Sequence, residues 1–308
     1  MKGLELAESY YLACGVPMLQ EKFAPYADRI AAGLVGDGSE CLGFDDEISQ
    51  DHDWGPGFCL WLVEEDFQAI GNALNDALSK LPPTFGGYGP RQTSEWGAGR
   101  VGAFEISRFY CNFIGVNCIP TDLNQWLFIP EDFLSACTNG KVFHDPLGEF
   151  TRWRNTLLAF YPEDVRLKKI ASRCMTTAQS GQYNLKRCVQ RKEYFAAQYA
   201  ETKFCADVIS LIFLLNKRYT PFYKWMHRAL KSLPLLGEFV HVRITDIVIS
   251  NDYEEKISIV ENICISIIDE LRKQGLSDAE SSFLLDHGPQ IQSKIQDKQL
   301  RERNVWVG

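Results

Sequence analysis

No two of the ten cysteines lie closer than seven residues, so the chain encodes neither a CxxC dithiol nor a zinc knuckle. It has no GxxxxGK[ST], no HExxH, no GxSxG and no GxGxxG following a strand. Those absences remove the P-loop, zincin, serine-hydrolase and dinucleotide signatures. An EF-hand starting at Asp51 would need an acid where Leu62 stands. The longest apolar run, "VISLIFLL" at 208–215, is far short of a bilayer span. The opening "MKGLELAESYYLAC" carries acids instead of an apolar core, so no secretory leader is expected there. Scattered unpaired cysteines fit a reducing compartment, and the cytoplasm is the expected location, with no membrane partner.

What is present is a packed, charged, two-part chain. The 308 residues are 45% hydrophobic and 12% aromatic, enough to fill two cores and too apolar for disorder. The net charge of −8 hides a split. Residues 1–145 carry 8 basic and 21 acidic side chains, whereas residues 146–308 carry 24 and 19. Within 166–231 the count is 14 against 3, which suggests a polyanionic ligand or a solvated basic face.

The first half mixes element types. Strands are expected at 29–36, 58–63, 100–106 and 141–145, with helices at 4–13, 64–81 and 130–140 and a cap at Asp122. After Pro146 strand signals fade. Helical stretches run to Pro162, over 163–181, through a long segment 182–219, from the Thr220-Pro221 cap pair to Pro234, and over 254–273 and 278–303. The expected fold class is α+β: a mixed sheet with flanking helices over 1–145, followed by an all-α helical bundle over 146–308.

The densest chemistry lies in "GDGSECLGFDDEISQDHDWGPG" at 36–57, where Asp45, Asp46, Glu47, Asp51 and Asp53 fall within nine positions with no lysine or arginine. On a strand, Asp51 and Asp53 would share one face about 7 Å apart. Oxygen-only ligands in that arrangement suit Mg²⁺, which takes one or two carboxylates together with substrate phosphates. Gly38 and Ser39 would let backbone N–H groups and a hydroxyl approach a phosphate. A solvated acidic loop is the plainer alternative, and His52 between the aspartates reads as structural.

Gly38-Ser39 followed by Asp51-His52-Asp53 resembles the Gly-Ser and Asp-x-Asp signature of the polymerase-beta-type nucleotidyltransferase superfamily. Over its whole length the chain resembles an uncharacterised bacterial family of nucleotidyltransferase-like proteins, most distinctively in "GSECLGFDDEISQDHDWGPG" and "LNKRYTPFYKWMHRAL". Its layout is similar to that of kanamycin-type aminoglycoside nucleotidyltransferases. The resemblance implies that Gly38 and Ser39 hold the β/γ-phosphates of an NTP, with ATP the default. It implies that Asp51 and Asp53 ligate Mg²⁺ and that the third carboxylate, best matched by Glu105 with Glu95 also in the region, is a ligand to a second ion or the general base. The chain departs from the pattern in having His52 where an apolar residue is usual, and "WGPG" where a strand would continue.

In the second half, Asn184, Arg187, Arg191 and Tyr194 form a polar stripe if one helix carries them. Lys224, Arg228 and Lys231 form another, and Lys217 and Arg218 sit before the Pro221 break. Arg187, Arg191, Lys217 and Lys224 are the expected additional contacts to the nucleotide. The implied activity is transfer of AMP to a hydroxyl of a small-molecule acceptor, with pyrophosphate released by a monomer or homodimer. The alternatives are an inactive nucleotide-binding or antitoxin-like regulator of the same fold, and transfer to RNA.

Overall fold

The computed structural model describes residues 1–97 and 99–308. In chain order, α1 (Gly3–Tyr10) and α2 (Val16–Lys22) precede β1 (Ala31–Leu34), and β2 (Cys59–Leu62) leads into α3 (Glu64–Ser79). Next, β3 (Gly102–Glu105) runs into α4 (Ile106–Ile114), and α5 (Leu123–Phe128) and α6 (Glu131–Thr138) precede β4 (Lys141–His144) and α7 (Glu149–Leu158). All further regular elements are helical: α8 (Glu163–Thr177), α9 (Lys186–Gln190), α10 (Tyr194–Leu215), α11 (Tyr223–Leu230), α12 (Gly237–Ile249), α13 (Tyr253–Lys273), α14 (His287–Ser293) and α15 (Lys298–Glu302). The protein is therefore α+β, a mixed sheet with flanking helices and a long helical C-terminal part.

The contacts divide the chain into two compact units. Unit 1 comprises Met1–Ile119 and Phe133–Ala159; unit 2 comprises Pro120–Asp132 and Phe160–Gly308. The division read at 145/146 thus differs in two places. Helix α7 goes with the sheet, because Phe150 stacks on Trp61 of β2 at 3.8 Å and Trp153 on Tyr110 of α4 at 5.0 Å. Conversely, α5 goes with the helices, Trp126 meeting Tyr161 edge-on at 6.0 Å.

Unit 1 holds a four-stranded sheet in the order β3-β2-β1-β4. The β1 strand is antiparallel to both neighbours, and β2 and β3 are parallel, with Leu62 opposite Glu105. All four residues of both β1 and β2 are buried, which is why each reads as a continuous apolar run instead of an alternation. Alternation instead sorts the faces. Leu60 and Leu62 pack with Tyr10, Leu19, Phe58 and Leu74, while Trp61 packs with Phe109 and Phe150 on the other side.

Unit 2 surrounds α8, whose buried side chains face every direction. Asp122, Asp252 and Asp297 cap their helices by accepting backbone N–H bonds at 2.6, 2.8 and 2.8 Å. Three expectations here are corrected. The helix expected over 278–303 is two short helices, α14 and α15. The Thr220-Pro221 cap is displaced: α11 begins at Tyr223, because the Thr220 hydroxyl donates to Glu131 at 2.8 Å instead of capping. The long helical segment expected over 182–219 is also interrupted. A π-helical segment, Ala178–Leu185, precedes α9, and Lys192 at φ +60° separates α9 from α10. At the other end of the chain, the opening helix continues past residue 13 as a π-turn, Tyr11–Gly15, into α2, which accommodates Pro17 in its first turn. Among the described residues no helix is long and apolar enough to cross a membrane.

Candidate functional site

The segment from Gly36 to Gly57 leaves β1 through a turn only glycine adopts readily, with Gly36 at φ +132° and Gly38 at φ +143°. A Cβ on Gly38 would lie 2.5 Å from the Glu40 carboxylate, so the turn is tight as well as twisted. Ser39 then starts a short 3₁₀ turn, and its carbonyl accepts from Leu42 and Phe44 at 3.2 and 2.9 Å. The N–H groups of Gly38 and Ser39 and the Ser39 hydroxyl have no hydrogen-bond partner among the described residues.

Most of the acids that follow are committed. Glu40, 3% exposed, pairs with Arg91 at 3.1 Å. Asp45, also buried, accepts from the Gly3 N–H at 2.8 Å and the Trp54 indole at 3.2 Å, with Lys2 at 3.6 Å. Asp46 closes its own turn by accepting from the N–H groups of Ile48 and Ser49. Asp53, 4% exposed and at φ +52°, accepts from the Ser94 N–H at 2.8 Å and the Ser94 hydroxyl at 2.6 Å, with Arg100 at 3.5 Å. Burial pushes the Asp53 carboxyl up, but the two Ser94 hydrogen bonds, Arg100 and His52 outweigh it and hold the group below the usual range. Asp51 is exposed and, among the described residues, binds only its neighbour, taking the His52 N–H at 2.9 Å and facing its ring nitrogen at 2.8 Å.

Residues 51–53 therefore do not form a strand. They lie in a bend before β2, and "WGPG" intervenes before the first paired residue, Cys59. Glu105 is the last residue of β3 and caps α4, accepting from the N–H groups of Ser107 and Arg108 at 2.8 and 3.0 Å. Because β2 and β3 run parallel, Asp53 (held by Arg100, just before β3) and Glu105 occupy opposite ends of that strand pair. The three steps between the first and last of four strand residues, at roughly 3.3 Å each, separate those ends by about 10 Å. Among the described residues no group of three His, Cys, Asp or Glu side chains could hold a metal ion. Asp51, Asp53 and Glu105, expected from the sequence to hold two Mg²⁺ ions, do not form such a group.

Sequence reading missed the partners that decide this outcome. Arg91, Ser94 and Arg100 all come from the Gly-rich loop before β3, roughly forty or more residues beyond the acids they hold. The one hint was that this loop carries bases in an otherwise base-poor half.

In unit 2 the four expected nucleotide contacts come from separate places: α9, its C-terminal end, the turn after α10, and α11. Arg187 lies over the Tyr183 ring at 4.7 Å, and Arg191 ends α9. The break at Lys192 interrupts the stripe running from Asn184 to Tyr194. Lys217 pairs with Glu163 at 3.9 Å, and Lys224 lies over Trp225 at 5.1 Å. Part of the basic excess is spent internally. Arg166 is bonded to Glu163, Gln274 and the Leu214 carbonyl, and Lys168 to Gln292 and the carbonyls of Arg303 and Asn304.

Comparison with known proteins adds three findings. Residues 126–226 match the model of a domain of unknown function (DUF4037). No curated protein matches the chain. The chain is similar to the crystal structure of a nucleotidyltransferase-like protein from Exiguobacterium sibiricum, at 12% identity and TM-score 0.34, covering 91% of this chain and 89% of that one.

Proposed function

We propose that unit 1 binds the phosphates of a nucleoside triphosphate, with ATP as the default, at the Gly38–Ser39 turn, in a protein of nucleotidyltransferase-like class. The observation that carries this reading is the set of three uncommitted donors there: two adjacent N–H groups and a hydroxyl at the end of β1. The nearby Glu40 carboxylate is neutralised by Arg91, so it does not bar an anion. The sequence resemblance supplies the class of ligand. The placement of Asp51, Asp53 and Glu105 favours binding without turnover over transfer of AMP to a hydroxyl acceptor.

Transfer is the second reading, favoured by one observation: Asp53 is kept ionised, the state a cation requires. One pair of measurements separates the two. Titration calorimetry with ATP, with and without Mg²⁺, is expected to show saturable binding that weakens about tenfold in Ser39→Ala, as for loss of a hydrogen bond to a charged group. Pyrophosphate release is expected to stay at background across a panel of hydroxyl acceptors. Release that disappears in a folded Asp51→Asn variant establishes the transfer reading, and absence of binding by any NTP refutes both. RNA binding is a further outcome, recognised by affinity that falls steeply with salt.

A further inference from the structure

A cavity of about 480 Å³ lies wholly within unit 2. Its wall is apolar, with Leu127, Phe128 and Pro130 contributing from one segment and Phe222, Tyr223 and Met226 from another. Its floor is charged: Glu131, Lys169, Arg173, Ser210 and Thr220 converge there from α6, α8, α10 and the approach to α11.

The donors and acceptors on this floor do not balance. Glu131 is saturated, accepting from Ser210 at 2.9 and 3.2 Å, Thr220 at 2.8 Å and Arg173 at 3.3 Å. Arg173 is equally committed, to Glu131, to Ser210 at 2.9 Å and to the Gly308 carbonyl at 2.9 Å. Asp207 is answered by Lys203 at 2.9 Å. Lys169 is the least fully met, with its ammonium over the Tyr161 ring at 5.1 Å. It is 4% exposed and lines the cavity, its nearest carboxylate oxygen, on Glu131, is 3.9 Å away, and its ammonium makes no hydrogen bond among the described residues. A buried ammonium has three protons to place, and leaving them unplaced is costly.

Neighbouring Lys168 shows the contrast. It is just as buried but donates to three oxygens, at 2.6, 2.7 and 3.3 Å, and so is a finished structural group. The mouth of the cavity is unfinished in a complementary way. Phe128, Phe222 and Tyr223 are 62%, 50% and 72% exposed, the last two rings meeting at 4.3 Å and Phe128 lying under the Arg303 guanidinium at 5.3 Å. A planar or branched apolar body would cover those rings.

We infer that this cavity is a binding site for a small amphipathic monoanion, its carboxylate on Lys169 and its apolar body against Phe128, Phe222 and Tyr223. The site stands on unit 2 alone and is independent of nucleotide binding in unit 1. Burial lowers the Lys169 ammonium to about 8, which leaves it mostly charged at neutral pH and able to meet an anion.

The test is calorimetric titration of the full chain with three aryl carboxylates (benzoate, phenylacetate and indole-3-acetate), alongside phenyl phosphate and the neutral 2-phenylethanol. At least one carboxylate is expected to bind saturably, with 2-phenylethanol at least about tenfold weaker. Lys169→Met is expected to lose about tenfold or more in carboxylate affinity, and Phe222→Ala to lose severalfold while remaining folded. Tighter binding of phenyl phosphate would move the assignment from carboxylate to phosphate monoester and overturn the monoanion part. If Lys169→Met does not fold, the Phe222→Ala variant and the charged-to-neutral ratio decide. No saturable carboxylate binding, or equal binding by wild type and Phe222→Ala with no preference over 2-phenylethanol, overturns the site.

Discussion

The Asp53 carboxylate receives both the N–H and the hydroxyl of Ser94, at 2.8 and 2.6 Å, although 41 residues separate the two in the chain. This relationship turns a residue that reads as a metal ligand into a clamp between the acidic segment and the loop before β3. Arg100 completes it at 3.5 Å. A group held this way contributes stability in its ionised form.

Acid stability should report that clamp. The folded-state pKa of Asp53 is depressed, so its contribution is present above the unfolded value of about 3.9 and is lost as pH falls through the folded value. Ser94→Ala removes the hydroxyl and leaves the N–H. It is expected to cost about 1–3 kcal/mol at pH 7 and to move acid unfolding to higher pH. Urea denaturation at pH 7 and a circular-dichroism acid titration check it; an unmoved acid midpoint would contradict the clamp.

Glu40 and Arg91 form a buried pair, 3% and 8% exposed, and their energetics should be asymmetric. Breaking it from one side strands a charge, so Arg91→Met is expected to destabilise by roughly 3 kcal/mol or more. Replacing both partners strands nothing. The double variant Glu40→Gln with Arg91→Met should recover much of the loss, which a double-mutant cycle in urea measures directly.

Lys169 should make stability depend on alkaline pH. Its folded value of about 8 lies below the unfolded value of about 10.4, so its cost is fully present below pH 8 and is relieved as pH rises toward 10.4. The groups facing it are Glu131, Arg173 and the Tyr161 ring. Glu131 keeps Arg173, Ser210 and Thr220 after substitution. Lys169→Met is therefore expected to be more stable than wild type at pH 7, by up to about 3 kcal/mol, with the gap closing by pH 10. Lys168 titrates in the same window in both proteins and drops out of the difference. A less stable variant at pH 7 would refute the reading.

Glu105 caps α4, and that role separates from metal binding by a simple substitution. Glu105→Ala is expected to cost about 1 kcal/mol through the lost cap, while Glu105→Asp should retain most of it. The melting temperature of the wild type is expected to be the same in millimolar Mg²⁺ as in chelator. A rise in wild type that Glu105→Ala abolishes would place a cation there.

The local architecture was legible in the sequence because its causes are local. The four strands at 31–34, 59–62, 102–105 and 141–144 show as short apolar or β-rich runs bounded by turn residues. Helix α3 shows in its period and its Pro82-Pro83 stop, and Asp122 shows as a cap. The glycines at 36 and 38 announce a turn without any partner being known. Where a competing long-range bond existed, local reading failed: Thr220 looks like a cap until Glu131 takes its hydroxyl.

The site belongs to the tertiary structure for the same reason. Spacing along the chain would place Asp51 and Asp53 on one strand face, but the backbone bends there, Asp53 is buried against Ser94 and Arg100 while Asp51 is exposed, and Glu105 lies at the other end of the β2–β3 pair. The floor of the unit 2 cavity unites residues from 131 to 220 that share no period or motif. A sequence determines which groups can be ionised and where the backbone can turn. Which charge ends up beside which is settled only when burial excludes water and each buried group must find its partner within the fold.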